Sequence, residues 1–298
     1  MMKFAFNPKI KIRLGAISFV NTVPIYSDFQ PGESIDLIYD VPARLNEQIL
    51  NRQLDVSPVS SACYLRNKEQ LVRLDDLSVS SSGAVESVIF ISRKPLGPEL
   101  LDSPAISVPD DSETSIALLA YLLKEATGQD LCPWFRTYQA SHYQQALEDS
   151  GNALIIGDNA LLIQQQGIPE GFHCYDLSTL WKERTGLPFV FAVWVASRSW
   201  AEAHPEDLRQ LNRALREARN RFFRESSIFE AGMRLARSRS QLPAETLARY
   251  YRHCLEYTLT TEHLASLELF ESMLGTSENK QEPSIVMSIT PYESRNRA

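Results

Sequence analysis

The chain has 298 residues, 44% hydrophobic and 22% charged, which supports one large or two modest folded domains and excludes a disordered or fibrous polymer. Its 30 Lys and Arg against 37 Asp and Glu give a net charge of -7, where a duplex-binding domain would carry a basic excess. No run reaches about 18 apolar residues, so neither nucleic acid nor a membrane is an expected partner.

The opening segment MMKFAFNPKIKIRLGAISF is interrupted by Lys3, Lys9, Lys11 and Arg13. It lacks the apolar core of an export signal, so a cytoplasmic setting is expected. Cys63, Cys132, Cys174 and Cys254 are too scattered for a zinc knuckle or a redox pair, and are expected to be reduced, mostly buried thiols.

Apolar β-type runs lie at 11–17, 35–40, 54–59, 87–92, 105–109 and 153–157, and helical patterns at 42–52, 113–126 and 160–166. This alternation predicts an α/β fold with largely parallel sheets. Pro42 suits the first turn of a helix whose apolar face is Leu45, Ile49 and Leu50. Ser112 stands where an N-cap belongs, and Gly128 lies just past the expected end of that helix.

After FVFAVWVAS at 189–197 the pattern is helical to about residue 274. Leu208, Leu211, Leu215, Ala218 and Phe222 form one buried stripe, Pro243 opens a further helix, and Glu262 to Leu274 forms another. Eleven arginines between Arg209 and Arg252 are mixed with acids and read as a solvated helix face. Residues 276–298 lack a periodic face and read as a loose tail. Gly and Pro near 92–97 and 185–188 suggest two hinges. The chain then divides into lobe 1 (residues 1–95), an inserted lobe 2 (96–187) and a mostly helical return to lobe 1 (188–275), with a ligand cleft between the lobes.

Three segments run from a strand into a small, hydroxyl-rich turn that opens a helix: SFVNT (18–22), SPVSSA (57–62) and DSETS (111–115). Unpaired helix N–H groups and hydroxyls can hold a carboxylate or phosphate without a formal cation. Each alone reads as a helix cap; their joint occurrence points to an anion-binding cleft. In IIGDNAL, Gly157 and Asp158 follow a buried strand at the end of a sheet where ligands bind. Asp158 either caps the next helix or faces the ligand as a polar contact or base. Gly83 and Ser87 in SSGAVESV permit close backbone approach before another strand.

The chain carries no G-x-S-x-G elbow, phosphate loop, dinucleotide fingerprint or H-E-x-x-H pair. His142, His173, His204, His253 and His263 are isolated, so no metal site is expected. Tyr64, Trp181 and Phe189 read as core aromatics in preference to cleft-lining ones.

The ordered set GAISFVNTVPI, LDVSPVSSACY, SSGAVESVIFIS, VPDDSETSIALL, ALIIGDNAL and DLSTLWKERTGLPFVFAVW, over residues 11 to about 275, resembles the chorismate dehydratases of the futalosine route to menaquinone. The resemblance implies a two-lobed type II periplasmic-binding-protein-like fold. It also implies loss of water from chorismate to give 3-[(1-carboxyvinyl)oxy]benzoate, with no cofactor. By motif position it places Ser18, Asn21 and Thr22 at the first ligand turn, Ser60 and Ser61 at the second, and Gly83 and Ser87 at the third. Thr114 and Ser115 fall at the inserted lobe's helix N-terminus and Asp158 at the acidic position, with Asn21 and Asp158 the catalytic candidates. A neutral amide is a poor base, so Asn21 is expected to orient or stabilise, and the proton acceptor is either Asp158 or a substrate carboxylate.

Two departures bear on the substrate. Pro58 and Cys63 replace a more apolar pattern, and Glu113 stands where the family more often has a small or basic residue; it is tolerable there if it points to solvent. The related 1,4-dihydroxy-6-naphthoate synthases resemble S-P-C-P-N-D-T at the first turn, where this chain reads SFVNTVP. A non-catalytic small-carboxylate-binding protein is the alternative of a different class.

Overall fold

Hydrogen bonding sorts the strands into two five-stranded sheets in a computed structural model that describes residues 10–277. In chain order the strands are β1 (Ile12–Ile17), β2 (Ile35–Asp40), β3 (Val56–Ser60), β4 (Leu71–Ser81), β5 (Val88–Ser92), β6 (Ile106–Pro109), β7 (Phe135–Tyr138), β8 (Asn152–Ile156), β9 (His173–Asp176) and β10 (Phe189–Ser197). The first sheet runs β2-β1-β3-β10-β4 and the second β7-β6-β8-β5-β9.

The α/β class and the two lobes are as expected, but the sheets are mixed. Strands β1, β2 and β3 run parallel, as do β6, β7 and β8, while β10 is antiparallel to β3 and β4, and β5 to β8 and β9. The reversals belong to the strands that arrive from the other lobe. The first crossing also lies earlier than expected. Strand β5 pairs with β8 and β9, so the chain passes between lobes at 82–87 and not at 92–97; a buried apolar run does not announce which sheet will receive it. The return crossing falls between the helix Leu177–Thr185 and β10, near the expected 185–188.

Three strands escape the sequence pattern. Strand β4 is broken by Asp76, whose φ is +58, and its pairing with β10 shifts register there; a bulge destroys the two-residue alternation. Strands β7 and β9 are four-residue edge strands, partly exposed, with no apolar face to detect.

Expected helices form where capping and periodicity agree. Pro42 opens Pro42–Leu50, which buries Leu45 and Ile49. Gly128, at φ +73, ends Glu113–Thr127, although Ser112 makes no side-chain cap bond. The helix Pro205–Arg224 buries Leu211, Leu215, Ala218 and Phe222 as expected. Arg219 departs from the solvated face: it is 4% exposed and donates to the carbonyls of Asp76 and Tyr257 and to the Asp76 carboxylate. Trp181 and Phe189 are core residues with ring centroids 5.1 Å apart, and Trp181 Nε1 donates to Ser266 Oγ. Cys63 and Cys254 are buried, but Cys132 and Cys174 are exposed: Cys174 lies on the edge strand β9, and Cys132 opens the 3-10 turn that leads into the other edge strand, β7. Among the described residues no helix is long and apolar enough to cross a membrane. Most of the expected tail lies outside the described residues.

Candidate active site

Strand β1 delivers the chain to a 3-10 turn, Val20–Thr22, followed by a single helical turn, Val23–Tyr26. Thr22 is buried and donates its hydroxyl to Ile17 O at 2.9 Å, so it shapes the turn from inside. Asn21 keeps a buried Oδ1 without a hydrogen-bond partner. A buried, unanswered amide oxygen is unfavourable unless a ligand supplies the donor. Half-buried Ser18, one residue past β1, donates its backbone N–H to Asp40 O.

The second lobe meets this turn through the end of β8. Gly157 has φ +62, and a Cβ there would lie 3.4 Å from the Phe19 ring. Glycine is favoured there by the left-handed backbone, while a Cβ would make only van der Waals contact with the ring. Asp158 Oδ1 accepts from Val20 N at 3.3 Å. The helix Gly157–Gln166 has no side-chain cap bond, so the capping role open in the sequence is not the one Asp158 takes. Burial pushes its carboxyl up to about 6, opposed by the Val20 N–H. Gly157 N donates to Ser87 O at 2.7 Å, which ties the third expected turn to this contact.

A second contact joins the lobes at the Ser60 turn. Ser60 Oγ accepts from Cys63 N, capping the helix Ser61–Arg66, and also accepts from Asn46 Nδ2. It donates to Glu113 Oε2 at 3.1 Å; Asn46 Nδ2 donates to the same oxygen, and Arg66 donates to Glu113 Oε1. Glu113 therefore reaches across to the first lobe although it stays partly exposed: three donors gather there, and a carboxylate on the first turn of the facing helix answers them. Thr114 Oγ1 accepts from Ala62 N at 2.9 Å beside it. Ser115 is buried in the same turn. Ser61 is turned inward, with its hydroxyl on Val190 O. Gly83 sits in the first crossing with open space where a Cβ would point, and its carbonyl accepts from Ser81 Oγ.

The structure thus brings Asn21, Asp158 and Ser87 to one contact and Ser60, Thr114 and Glu113 to another, while the hydroxyls of Thr22 and Ser61 are taken up within the first lobe. Two residues before Glu113 lies a further buried carboxyl that the sequence does not single out. Asp111 is 6% exposed, its Oδ1 has no partner, and burial together with Asp110 pushes it up to about 6. The Asp110–Asp111 doublet at the start of that segment was the available signal. Tyr251 and Tyr257 donate to Val20 O and Asn21 O; more than two hundred residues separate them from that turn, and no local pattern points to them. Among the described residues no group of three metal-ligating side chains is gathered.

Two α/β lobes meeting at polar contacts have a fold of the periplasmic-binding-protein type. Solved structures agree on the fold. A protein from Archaeoglobus fulgidus superposes with a TM-score of 0.69 at 17% identity, covering 92% of this chain and 99% of its own. The periplasmic aliphatic sulphonate binding protein of Escherichia coli gives 0.65 at 15%, over 91% of this chain and 88% of its own. A family defined by menaquinone biosynthesis matches residues 12–276, and the chain belongs to it. The chain is 35% identical to the chorismate dehydratase of Thermus thermophilus over 219 residues, 69% of this chain and 75% of that one. It is 26% identical to the chorismate dehydratase of Campylobacter jejuni over 185 residues, 60% of this chain and 64% of that one.

Proposed function

We propose that this protein is an enzyme that dehydrates chorismate to 3-[(1-carboxyvinyl)oxy]benzoate, a hydro-lyase step in menaquinone biosynthesis. Kinship with two chorismate dehydratases supports the substrate and the reaction. The observation that carries the site is the buried, unpartnered Asn21 Oδ1 on the turn whose Val20 N–H contacts Asp158.

The reaction breaks the C–H bond at the ring carbon bearing the ether and the C–O bond of the neighbouring hydroxyl. The C–H electron pair becomes a ring π bond, and aromatisation supplies the driving force. No electrons leave the substrate, so the step needs no redox partner. Asn21 holds the substrate hydroxyl at its amide. Asp158 receives the ring proton; a carboxyl lifted to about 6 remains largely ionised at neutral pH and is a stronger base than an exposed one. The proton leaves with the hydroxyl as water, which restores the carboxylate. Turns carrying Ser18, Ser60, Gly83, Ser87, Thr114 and Ser115 from the two lobes surround the two substrate carboxylates, with Ser60 and Thr114 on the contact that Glu113 now closes.

Incubation with chorismate alone, followed by chromatography with mass detection, tests the reading. The expected product is lighter by one water, and its formation falls sharply in Asn21→Ala. Binding of chorismate without turnover, measured by calorimetry, would favour a carboxylate-binding protein instead, as the likeness to a sulphonate-binding fold allows. Neither binding nor turnover would remove chorismate as the ligand. Retained chorismate binding with no turnover in Asp158→Asn assigns the proton to Asp158; turnover in that variant assigns it to a substrate carboxylate.

A further inference from the structure

The catalytic reading uses none of the three tyrosines that the return segment buries against the site. Tyr250, Tyr251 and Tyr257 are 1%, 1% and 4% exposed. The first two open a π-helical turn, Tyr250–Cys254, that continues the helix Ala244–Arg249. Such turns are rare, and they concentrate at functional sites.

Each hydroxyl has one destination. Tyr251 donates to Val20 O at 2.9 Å, Tyr257 to Asn21 O at 2.8 Å, and Tyr250 to Ser87 Oγ at 2.8 Å. The first two act on successive carbonyls of the 3-10 turn, and the third acts on the residue whose carbonyl holds Gly157 N. One segment thereby grips the turn of the first lobe and the strand entry of the second. The segment is itself anchored: Glu256 and Ser80 exchange backbone hydrogen bonds, Ser78 N donates to Tyr257 O, and buried Arg219 donates to the same carbonyl. Burial holds all three phenols above their ordinary range, so they remain neutral donors.

We propose that Tyr251 and Tyr257 are positioning residues for the dehydration, fixing the Val20–Asn21 peptides so that the Asn21 amide and the Val20 N–H meet substrate and Asp158 in register. The proposal rests on the reading of Asn21 and Asp158 as the reacting site. A 3-10 turn of three residues has few internal hydrogen bonds to hold its orientation, and a small displacement at a reacting group is expensive in rate.

The test is a double-mutant cycle. Tyr257→Phe removes one oxygen and keeps the ring. It should lower kcat on chorismate by about tenfold or more with KM within about twofold, the signature of lost alignment at the reacting centre. In an Asn21→Ala background the same change should lower the residual kcat little further, while its effect on the thermal midpoint is the same in both backgrounds. Tyr251→Phe, which acts on the adjoining carbonyl, should behave likewise in the same Asn21→Ala background. A merely structural tyrosine would lower the midpoint in both backgrounds and multiply the kcat losses. Equal kcat losses in both backgrounds, or an unchanged kcat in Tyr257→Phe, would overturn the positioning role alone. Full turnover in Asn21→Ala would overturn the site assignment beneath it.

Discussion

Replacing Asp158 by asparagine isolates what it takes to hold a carboxylate at the lobe contact. The asparagine Oδ1 can still accept from Val20 N, so shape and hydrogen bond survive while the charge is removed. Burial raises the wild-type carboxyl from 3.8 to about 6, so the folded protein binds the proton more tightly than the unfolded chain does. Stability from this group is therefore greatest below pH 3.8 and falls as pH rises to about 6, with the full penalty above that. The interval from 3.8 to about 6 corresponds to an upper limit of roughly 3 kcal/mol at neutral pH. Asp158 is only half-buried, and water reduces this to about 1–2 kcal/mol. Asp158→Asn should accordingly be inactive yet melt higher than wild type at pH 8, by about 2–6 °C. The gap should close as the pH is lowered toward 4. Asp111, also raised to about 6, is common to both proteins and cancels. Calorimetry of both proteins from pH 4 to 8 reads the difference. A gap independent of pH, or a variant that melts lower throughout, would refute the reasoning.

The same carboxyl predicts that kcat/KM falls about tenfold per pH unit below about 6, as protonation removes the base. That limb should persist in Asp111→Asn, and its disappearance there would transfer the role to Asp111. Glu113→Ala removes the acceptor shared by Ser60, Asn46 and Arg66 across the cleft. Small-angle scattering of the unliganded variant should show a larger radius of gyration that contracts on adding chorismate, with less than about 1 kcal/mol change in stability because the pair is partly exposed; an unchanged radius would show that the clasp does not hold the lobes together. Gly157→Ala forces a side chain into φ +62, a backbone conformation that strains the turn carrying Asp158. A loss of about 1–2 kcal/mol in stability is expected, together with a marked drop in kcat as the Asp158 contact is displaced; unimpaired turnover would show that this contact is not needed.

Much of the architecture was legible because it rests on local chemistry. Pro42 at a helix start, Gly128 past a helix end and the Leu211, Leu215, Ala218 and Phe222 stripe act within a few residues of themselves. So do the hydroxyl turns at strand ends; Asn21 and Asp158, 137 positions apart, stood out together through the family motifs that carry them. Edge strands β7 and β9 lacked an apolar face, and the bulge at Asp76 hid the longest strand of the first sheet.

What the sequence determined was most of the helices and apolar strands, the family motifs and the two lobes, since hydrophobic period, caps and turn residues are properties of short stretches. Tertiary structure decided which sheet receives Val88–Ser92, that Glu113 answers Ser60 and Asn46, that Arg219 is buried, and that Tyr251 and Tyr257 grip the Val20–Asn21 turn. Each of these joins residues far apart in the chain. A hydrogen bond between distant segments exists only once packing has brought donor and acceptor together and excluded the water that would otherwise satisfy both.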